Sequence, residues 1–410
     1  MKVLFLTLNY APEEIGIGPY STGTAQWLAK AGHEVVVVAG KPYYPRWDVP
    51  QEWRGRLYRK SVEQGVSITR CMHYVPAEPS GSKRLAHHAT FANAALMPMM
   101  KAALSGKRRP DVVLTVAPSM IAASTAILAA RTARVPLWLH IQDFEVEAAL
   151  ATGLIDRDST IAYRAVGVER AVLRAADRVS SISPAMVAKL IEKGVAPENT
   201  YEFRNWANIE NIVPLTGLSP FQDEWSIGSR KVALYSGNIA NKQGIEIVVD
   251  AARLLSHRDD LVFAVCGNGP NRANLERQAS GLDNIQFHDL QPRGRLSDLL
   301  GLASVHLLPQ IAGAADLVLP SKLTNMLASG KPTVATAEPG TGLALEVEGA
   351  GIVTPPGDTG AFVAAIEQVL DSADLAAKLG ATAREKAVET WERSKILSAF
   401  EQQLVALSKA

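Results

Sequence analysis

The sequence predicts an α/β protein built from two doubly wound domains with mainly parallel strands. Apolar runs rich in β-branched residues alternate with helical patterns along all 410 residues, and this alternation is typical of α/β organisation. Some runs, such as the four valines at 35–38, are apolar without interruption, as expected for strands that helices cover on both faces. A stretch rich in Pro, Gly and Ser at 214–220 separates two series of such elements. We therefore expect the domain boundary there.

Each half of the chain contains six candidate strands. In the first half they lie at residues 3–8, 34–39, 112–116, 137–141, 178–182 and 201–203. In the second half they lie at residues 232–235, 261–266, 285–287, 305–308, 333–335 and 351–353. A helix is expected at about 21–31, and a periodic tail predicts a last helix over 391–410. The pattern thus predicts one domain over residues 1–213 and a second over residues 214–390.

Composition places the chain among ordinary globular proteins. Hydrophobic residues make up 47% and charged residues 20% of the sequence, a balance that disordered chains lack. The two cysteines, Cys71 and Cys266, are far apart, which argues against a disulfide framework and a Cys/His zinc site and favours a reducing compartment. The apolar run at the amino terminus is too short for a signal peptide. Pro118 divides the longest uncharged stretch into a strand and a helix capped by Ser119. A cytoplasmic protein is therefore expected.

Basic residues are concentrated in one segment although the net charge is only +1. Residues 51–109 hold 11 Lys and Arg against 3 Asp and Glu, an excess of 8. Such an excess suits an anionic membrane surface, where each basic side chain adds about 1 kcal/mol. A basic face that is simply solvated is the alternative. Nucleic acid is not expected as a partner, because no binding motif or aromatic platform accompanies the charge.

Three loops have the composition of phosphate-binding turns. The first is Gly16-Ile17-Gly18, which lies between the first strand and a helix. Glycines at that point let backbone N–H groups approach a phosphate, and the helix start adds a favourable partial charge. The spacing does not fit the dinucleotide pattern GxGxxG. A plain tight turn is therefore the alternative for this loop.

The other two loops carry lysines. Gly237 and Asn238 follow the first strand of the second half, with Lys242 shortly after them. Further on, Ser321 and Lys322 begin a helix, so a hydroxyl, free amides and a positive charge come together. Lysines near helix starts are common on protein surfaces, so either loop alone is a weak signal. Two such loops in one half of the chain are a stronger indication of phosphate binding.

Several blocks of sequence resemble family-4 glycosyltransferases. They are NYAPEEIGIGPYSTGTAQWLAKAGHEVVVVAGKPYYP, HIQDFE, SGNIANKQG and LPSKLTNMLASGKPTVAT. The likeness is greatest to the exopolysaccharide transferases of the colanic-acid type, some of which move fucose. It implies the GT-B fold, in which two Rossmann-like domains face each other across a cleft and the last helix crosses back to the first domain. Residues 1–213 would then form the acceptor side, and residues 214–390 would bind a nucleotide sugar.

The resemblance also assigns roles by position. Lys242 would bind the donor diphosphate, and Ser321 and Lys322 would hold its distal phosphate. Asp143 would lie nearest the anomeric carbon of the sugar, with a loop or helix-capping aspartate as the alternative. Together with Lys242 and Lys322 it forms the expected catalytic set. The remaining donor contacts implied by the resemblance are Gly16, Ile17, Gly18, Gly237, Asn238, Gly267, Asn268, Gly269, Leu290, Leu323 and Asn325.

Two positions depart from the family pattern. Asn238 stands where the family commonly has an arginine, and Asn325 stands where it commonly has a glutamate that grips the ribose. An asparagine can still donate hydrogen bonds to a ribose, but it supplies no carboxylate. These departures leave open which base the donor carries, and the expectation is a GDP- or UDP-linked sugar.

The resemblance implies transfer with retention of anomeric configuration, without a metal or any cofactor besides the donor. The expected acceptor is a glycan or a polyprenyl-diphosphate-linked oligosaccharide at the inner face of the plasma membrane. The alternatives are a nucleotide-sugar epimerase of the same architecture and an inactive subunit that binds sugar nucleotides.

Two further features are not expected to take part in catalysis, and a third has two possible roles. The DxD-like sequence at Asp156 and Asp158 is expected to cap a helix rather than bind a metal. His87 and His88 are expected to face solvent. The aromatic loop from residue 42 to Trp53 would either stack on acceptor sugars or lipid headgroups, or pack on its own domain.

Overall fold

The computed structural model describes residues 1–106, 109–117, 119–151, 156, 159–207, 209–239, 243–312 and 321–409. The chain divides into two compact units. The amino-terminal unit comprises Met1–Arg204 and Leu397–Ala410, and the carboxy-terminal unit comprises Asn205–Ile396.

The sheet of the amino-terminal unit has eight strands within the described residues. They are β1 (Lys2–Thr7), β2 (Glu34–Gly40), β3 (Tyr58–Glu63), β4 (Val66–Cys71), β5 (Val112–Ala117), β6 (Leu137–Ile141), β7 (Arg178–Ser181) and β8 (Thr200–Glu202). Their order is β3-β4-β2-β1-β5-β6-β7-β8. All neighbours are parallel except β3 and β4. The central strands are buried, which explains their uninterrupted apolar sequences.

Helices cover this sheet, and three of the described ones are capped by a serine at their amino ends. The helices are α1 (Gly18–Lys30), α2 (Gly81–Ala103), α3 (Met120–Ala133), α4 (Glu145–Ala151), α5 (Thr160–Arg174) and α6 (Pro184–Glu192). The side chains of Ser119, Ser159 and Ser183 cap α3, α5 and α6 by accepting a backbone N–H of the first turn. These caps satisfy donors that the helix itself leaves unpaired.

The carboxy-terminal unit has a smaller parallel sheet, with six strands in the part of the chain described. They are β9 (Lys231–Ser236), β10 (Leu261–Cys266), β11 (Ile285–His288), β12 (Val305–Leu308), β13 (Thr333–Thr336) and β14 (Gly351–Thr354). Their order is β11-β10-β9-β12-β13-β14. The order reverses beside β9, and ligands of doubly wound sheets bind at the carboxyl ends of the strands next to such a reversal.

The helices of this unit lie on both faces of its sheet. They are α7 (Phe221–Glu224), α8 (Glu246–Leu254), α9 (Arg272–Gln278), α10 (Leu296–Gly301), α11 (Ser321–Ala328), α12 (Gly342–Val347), α13 (Thr359–Asp371) and α14 (Ala373–Thr390). One apolar core lies where α8, α9 and α13 pack on the sheet, and further apolar clusters involve α7, α10, α11 and α12.

The last helix, α15 (Arg393–Lys409), packs on the amino-terminal unit. Phe400 stacks on Phe203 with ring centroids 4.1 Å apart and meets the ring of Trp138 edge-on at 4.9 Å. The indole N–H of Trp27 donates to Glu401 at 2.8 Å. The expected crossing of the last helix back to the first domain is confirmed.

All twelve strands expected from the sequence are present, and the hairpin of β3 and β4 is an addition. Its turn, Gln64-Gly65, has positive φ at both residues, which is the geometry of tight two-residue hairpins. β3 is an edge strand with exposed Arg59 and Lys60. Three of its six residues are charged and three are exposed, so a search for apolar runs does not detect it. None of the described helices is long and apolar enough to cross a membrane.

Candidate active site

Two glycine loops meet at the carboxyl edge of the carboxy-terminal sheet. Gly237 follows β9 and Gly267 follows β10, and their φ angles are +145° and +154°. A Cβ at Gly267 would lie 1.8 Å from the carbonyl oxygen of Gly237, and one at Gly269 would lie 2.2 Å from that of Ile239. Only glycine permits this close approach of the two backbones. The predicted residues Gly237, Asn238, Gly267, Asn268 and Gly269 are therefore brought together.

Lys322 reaches the same edge from α11. A Cβ at Gly237 would lie 3.3 Å from Cδ of Lys322, so the lysine side chain passes directly over that glycine. Its Nζ donates to the hydroxyl of Tyr235 at 3.0 Å and lies 4.3 Å from the centre of that ring. The absence of a Cβ at Gly237 thus leaves room for the lysine as well as for close backbone approach.

The amine of Lys322 is not paired with a carboxylate among the described residues. Burial lowers its pKa to about 7, because a charged amine is disfavoured where water is excluded. An anion placed beside this amine would restore its proton and its charge. The arrangement is therefore suited to an anionic ligand, and it is unlike that of a solvated surface lysine.

Tyr235 organises this site and is not among the residues predicted from the sequence. Its side chain is fully buried. Its hydroxyl lies 2.7 Å from the carbonyl oxygen of Asn238 and 3.0 Å from Oε1 of Gln243, to which it donates, while it accepts from Lys322. One hydroxyl therefore connects the loop after β9 to α11. A tyrosine in the otherwise aliphatic run VALY, two residues before Gly237, was the available signal.

Arg272, at the start of α9, ties two predicted nucleoside-side segments together and is also not among the predicted residues. Its guanidinium donates to the carbonyl oxygen of Gly267 at 3.0 Å and to Oδ1 of Asn268 at 2.7 Å. It also pairs with Asp289 at 2.5 Å. Asp289 directly precedes the exposed Leu290. Arg272 thus holds the glycine loop against the loop after β11.

The remaining predicted residues of this unit are placed as follows. Lys242 lies outside the described residues, and of Ser321 only the backbone at the start of α11 is described. Leu323 is fully buried in the apolar core, so only its backbone is available to a ligand. Asn325 follows one turn after Lys322 on α11 and is half-buried.

A buried carboxylate organises the glycine loop of the amino-terminal unit. Oε1 of Glu13 accepts from the backbone N–H groups of Tyr43 and Tyr44 at 2.9 and 3.0 Å, and Oε2 accepts from Asn9 at 2.9 Å. Burial raises the pKa of Glu13. A Cβ at Gly18 would lie 2.9 Å from Cβ of Glu13. Glu13 thereby joins the segment after β1 to the segment after β2.

The other two predicted residues of this loop are the exposed Gly16 and the half-buried Ile17. Gly16 is exposed with a φ of +70°, and a Cβ there would lie 3.0 Å from the ring of Tyr44. Ile17 is the residue that precedes α1. Gly16, Ile17 and Gly18 therefore lie at the carboxyl edge of the amino-terminal sheet.

Asp143 lies at the same edge, two residues after β6 ends. Its neighbour Gln142 has Nε2 2.9 Å from Nε2 of His140, whose Nδ1 lies 2.9 Å from the hydroxyl of Ser180. Burial lowers the pKa of His140 to about 3, so this imidazole is neutral near pH 7 and can accept from the amide. The side chain preceding Asp143 is thus fixed in place, and Asp143 itself is half-buried.

The expectation for His87 and His88 is wrong, because both are buried. The ring of His87 lies 4.7 Å from that of Tyr43 and 5.4 Å from that of Trp47. Burial lowers the pKa of His87 to about 4. The aromatic residues of the 42–53 loop that contact this cluster therefore pack on their own unit. Residues 157 and 158 of the DxD-like sequence lie outside the described part of the chain.

Two family profiles match the chain. The profile "Glycosyl transferase 4-like domain" matches residues 16–206, and "Glycosyl transferases group 1" matches residues 221–386. The chain is 40% identical over 411 residues to the colanic acid biosynthesis glycosyl transferase WcaI of Escherichia coli strain K12, with 98% of each protein covered. It is 29% identical over 166 residues to the alpha-D-kanosaminyltransferase of Streptomyces kanamyceticus, which covers 40% of this chain and 42% of that protein.

Solved structures with the same fold cover nearly the whole chain. HepE of Anabaena in complex with UDP has a TM-score of 0.71 at 15% identity, covering 99% of this chain and 100% of that one. Sucrose-phosphate synthase of Thermosynechococcus elongatus has a TM-score of 0.75 at 18% identity, covering 99% of this chain and 98% of that one. The predicted GT-B fold is confirmed by these likenesses.

Proposed function

Because the chain belongs to the group 1 glycosyltransferases, we propose that it moves fucose or another hexose from a GDP- or UDP-linked donor to a lipid-linked oligosaccharide or other glycan acceptor. The product would be an intermediate of bacterial exopolysaccharide biosynthesis. The names of two relatives support this proposal. WcaI is named for colanic acid biosynthesis, and HepE has been solved with UDP and with UDP-glucose.

One observation carries the assignment of the donor site. The amine of Lys322 lies over Gly237 with no carboxylate partner among the described residues. The loops after β9 and β10 meet beside it without side chains at their glycines. A diphosphate is bound by a cation together with unpaired backbone N–H groups, and the amino end of α11 at Ser321 offers such groups next to Lys322. We therefore assign the donor diphosphate to the carboxyl edge of β9, with Lys242 and Ser321 as additional proposed contacts.

In the proposed reaction, the bond between the anomeric carbon and the diphosphate oxygen breaks as the acceptor oxygen attacks from the same face. The acceptor hydroxyl proton passes to a phosphate oxygen of the departing nucleoside diphosphate, and the configuration is retained. Lys242, Lys322 and the amino end of α11 stabilise the charge that develops on this leaving group. Asp143, on the amino-terminal unit, is the polar group assigned to the sugar at its reacting carbon.

Two asparagines and a glycine loop complete the proposed donor site. Asn238 and Asn325 supply amide donors and acceptors at the positions where the family commonly has an arginine and a glutamate. Asn325 is assigned to the ribose. Gly267, Asn268, Gly269 and Leu290 are assigned to the nucleoside. We assign the amino-terminal unit to the acceptor side. From this unit, Gly16, Ile17 and Gly18 offer backbone contacts to the donor.

Thermal unfolding with a panel of nucleoside diphosphates and their sugars tests the donor assignment. A ligand at 100 times its Kd adds about 2.7 kcal/mol to the free energy of unfolding. We expect one base to stabilise the wild type selectively and to lose this effect in Lys322→Ala. The exposed Lys378 of α14 provides the control Lys378→Ala, which should retain the effect.

Kinetics with the donor thus identified test catalysis. We expect Lys242→Ala and Lys322→Ala each to lower kcat/KM by about tenfold or more, the loss of one charged contact to the leaving group. Near-native kinetics in both variants would overturn the assignment of the diphosphate. Tight nucleotide binding without turnover on any acceptor would instead favour a sugar-nucleotide-binding subunit.

A further inference from the structure

Helix α2 is uncharged along most of its length and exposes several large apolar side chains. Its residues 85–100 include no Asp, Glu, Lys or Arg. One side is buried in the amino-terminal unit, through residues such as Phe91, Ala95 and Met99. Its exposed residues include the large apolar side chains of Leu85, 61% exposed, and Met97, 56% exposed, together with the small polar Thr90 and Asn93. Leu104, just beyond the helix, is 66% exposed. Large apolar side chains that stay exposed on a half-buried helix indicate a surface for a further partner.

The neighbouring helix extends this exposed side. α3 packs beside α2, where the hydroxyl of Thr125 donates to the carbonyl oxygen of Ala92 at 3.2 Å. Neither helix contains an Asp or a Glu. α3 exposes Leu128 and, in its last turn, Arg131. We call the exposed residues Leu85, Leu96, Met97, Leu104 and Leu128 the apolar helix face.

Basic residues lie at both ends of this face. Lys83 and Arg84 precede it on α2, and Lys101 is in the last turn of that helix. Arg84 is 3.5 Å from Glu145, whereas Lys83 and Lys101 form no ion pair with any described residue. Both lysines belong to the segment 51–109, in which Lys and Arg exceed Asp and Glu by 8. The charges that flank the apolar helix face are therefore positive and available.

We propose that the apolar helix face docks the protein on an anionic lipid membrane, with α2 lying along the membrane surface. This inference rests on the proposed function, whose lipid-linked acceptor would be presented at such a surface. A helix of 23 residues is about 35 Å long, so its two basic ends reach separate groups of lipid headgroups. Apolar side chains between basic ends are what interfacial helices use to bind anionic membranes. The absence of acidic residues from α2 and α3 removes repulsion from anionic headgroups.

Vesicle flotation tests this proposal directly. The full chain is mixed with vesicles of phosphatidylcholine alone or with 30% phosphatidylglycerol, at low and high salt. We expect flotation with the anionic vesicles only, and a clear decrease at high salt. The variant Leu85→Glu/Met97→Glu should lower the partition coefficient by about tenfold or more, and Lys101→Glu should lower it by about fivefold or more. Leu254→Glu, at a similarly exposed leucine of the other unit, is the matched control and should float like the wild type.

Donor-induced thermal stabilisation is measured on every variant. It shows that each variant is folded, and it separates this proposal from the proposed function. Should Leu85→Glu/Met97→Glu fail to fold, Lys101→Glu and the milder Leu85→Gln/Met97→Gln carry the test. A wild type that binds its nucleotide but does not float would overturn the membrane proposal alone. Equal flotation of wild type and folded face variants would overturn the assignment of this face. The assignment of this face to the membrane would also be overturned if the wild type were a dimer and the face variants became monomers while their flotation stayed the same.

Discussion

Replacing Lys322 by methionine is expected to stabilise the free protein while weakening donor binding. In the folded protein, burial lowers the pKa of Lys322 to about 7 from an ordinary value of 10.5. At a pH between these two pKa values, Lys322 is protonated in the unfolded chain and neutral in the folded chain. The lysine therefore opposes folding below pH 10.5, and its full cost is reached below pH 7. Methionine fills similar space without this cost.

The magnitude follows from the size of the pKa change. At about 1.4 kcal/mol per pH unit, the fall from 10.5 to about 7 corresponds to a cost of about 5 kcal/mol at neutral pH or below. Water penetration and local relaxation reduce this cost, so we expect Lys322→Met to gain about 2 to 5 kcal/mol at pH 7. The gain should shrink steadily as the pH rises to 9.5, because the cost of the lysine fades over that range.

Urea denaturation at pH 6.5, 8 and 9.5 measures both the gain and its pH dependence. The control is Lys378→Met, at an exposed lysine of the same unit, which should change the free energy of unfolding by about 0.5 kcal/mol or less. Isothermal titration calorimetry on the same samples measures how much donor affinity Lys322→Met loses relative to the wild type. A Lys322→Met protein that is no more stable than the wild type at pH 7 would show that burial of the Lys322 amine does not oppose folding. A gain that increases with pH would show that the gain does not come from the lowered pKa of Lys322.

Four further outcomes are expected. Donor binding at pH 8 should take up close to one proton at Lys322, seen as a dependence of the binding heat on buffer ionisation, and no such dependence would contradict the assignment. Tyr235→Phe should lower donor affinity about tenfold in a folded protein, since Lys322 loses its hydroxyl partner; unchanged affinity in titration would argue against it. Gly269→Ala should lower both melting temperature and donor affinity, because its Cβ would lie 2.2 Å from a carbonyl oxygen, while Gly217→Ala, in open space, should change neither. Arg272→Gln should weaken nucleotide binding about tenfold by releasing the loop it bridges, and equal affinities would exclude that role.

Most of the fold can be predicted from the sequence because its strands are buried on both faces. Runs such as the valines at 35–38 have no polar residue to interrupt them, so their positions are visible without the structure. The hairpin of β3 and β4 was missed for the opposite reason. β3 is an edge strand with charged, exposed residues, and its turn is formed by Gln64 and Gly65 rather than by a common turn pair.

The site is predictable only in part, because glycine and lysine loops are visible in sequence while their supports are not. Gly237 and Lys322 are far apart in the chain, and the fold brings them so close that a Cβ at Gly237 would lie 3.3 Å from Cδ of Lys322. The supporting residues Tyr235 and Arg272 act through single atoms that touch several loops, and no spacing rule reveals such contacts. The burial of His87 is not predictable from its helix pattern, because that pattern does not show that the aromatic loop at 42–53 covers the imidazole ring.

The proposed function depends on binding of the donor diphosphate at the carboxyl edge of β9. A crystal structure of the protein with its stabilising nucleoside diphosphate tests this claim most directly. We predict the diphosphate within hydrogen-bonding distance of Nζ of Lys322 and of the backbone N–H groups at the start of α11, with the nucleoside beside Gly267 and Gly269. A nucleotide bound elsewhere, with Lys322 still directed only at Tyr235, would contradict it.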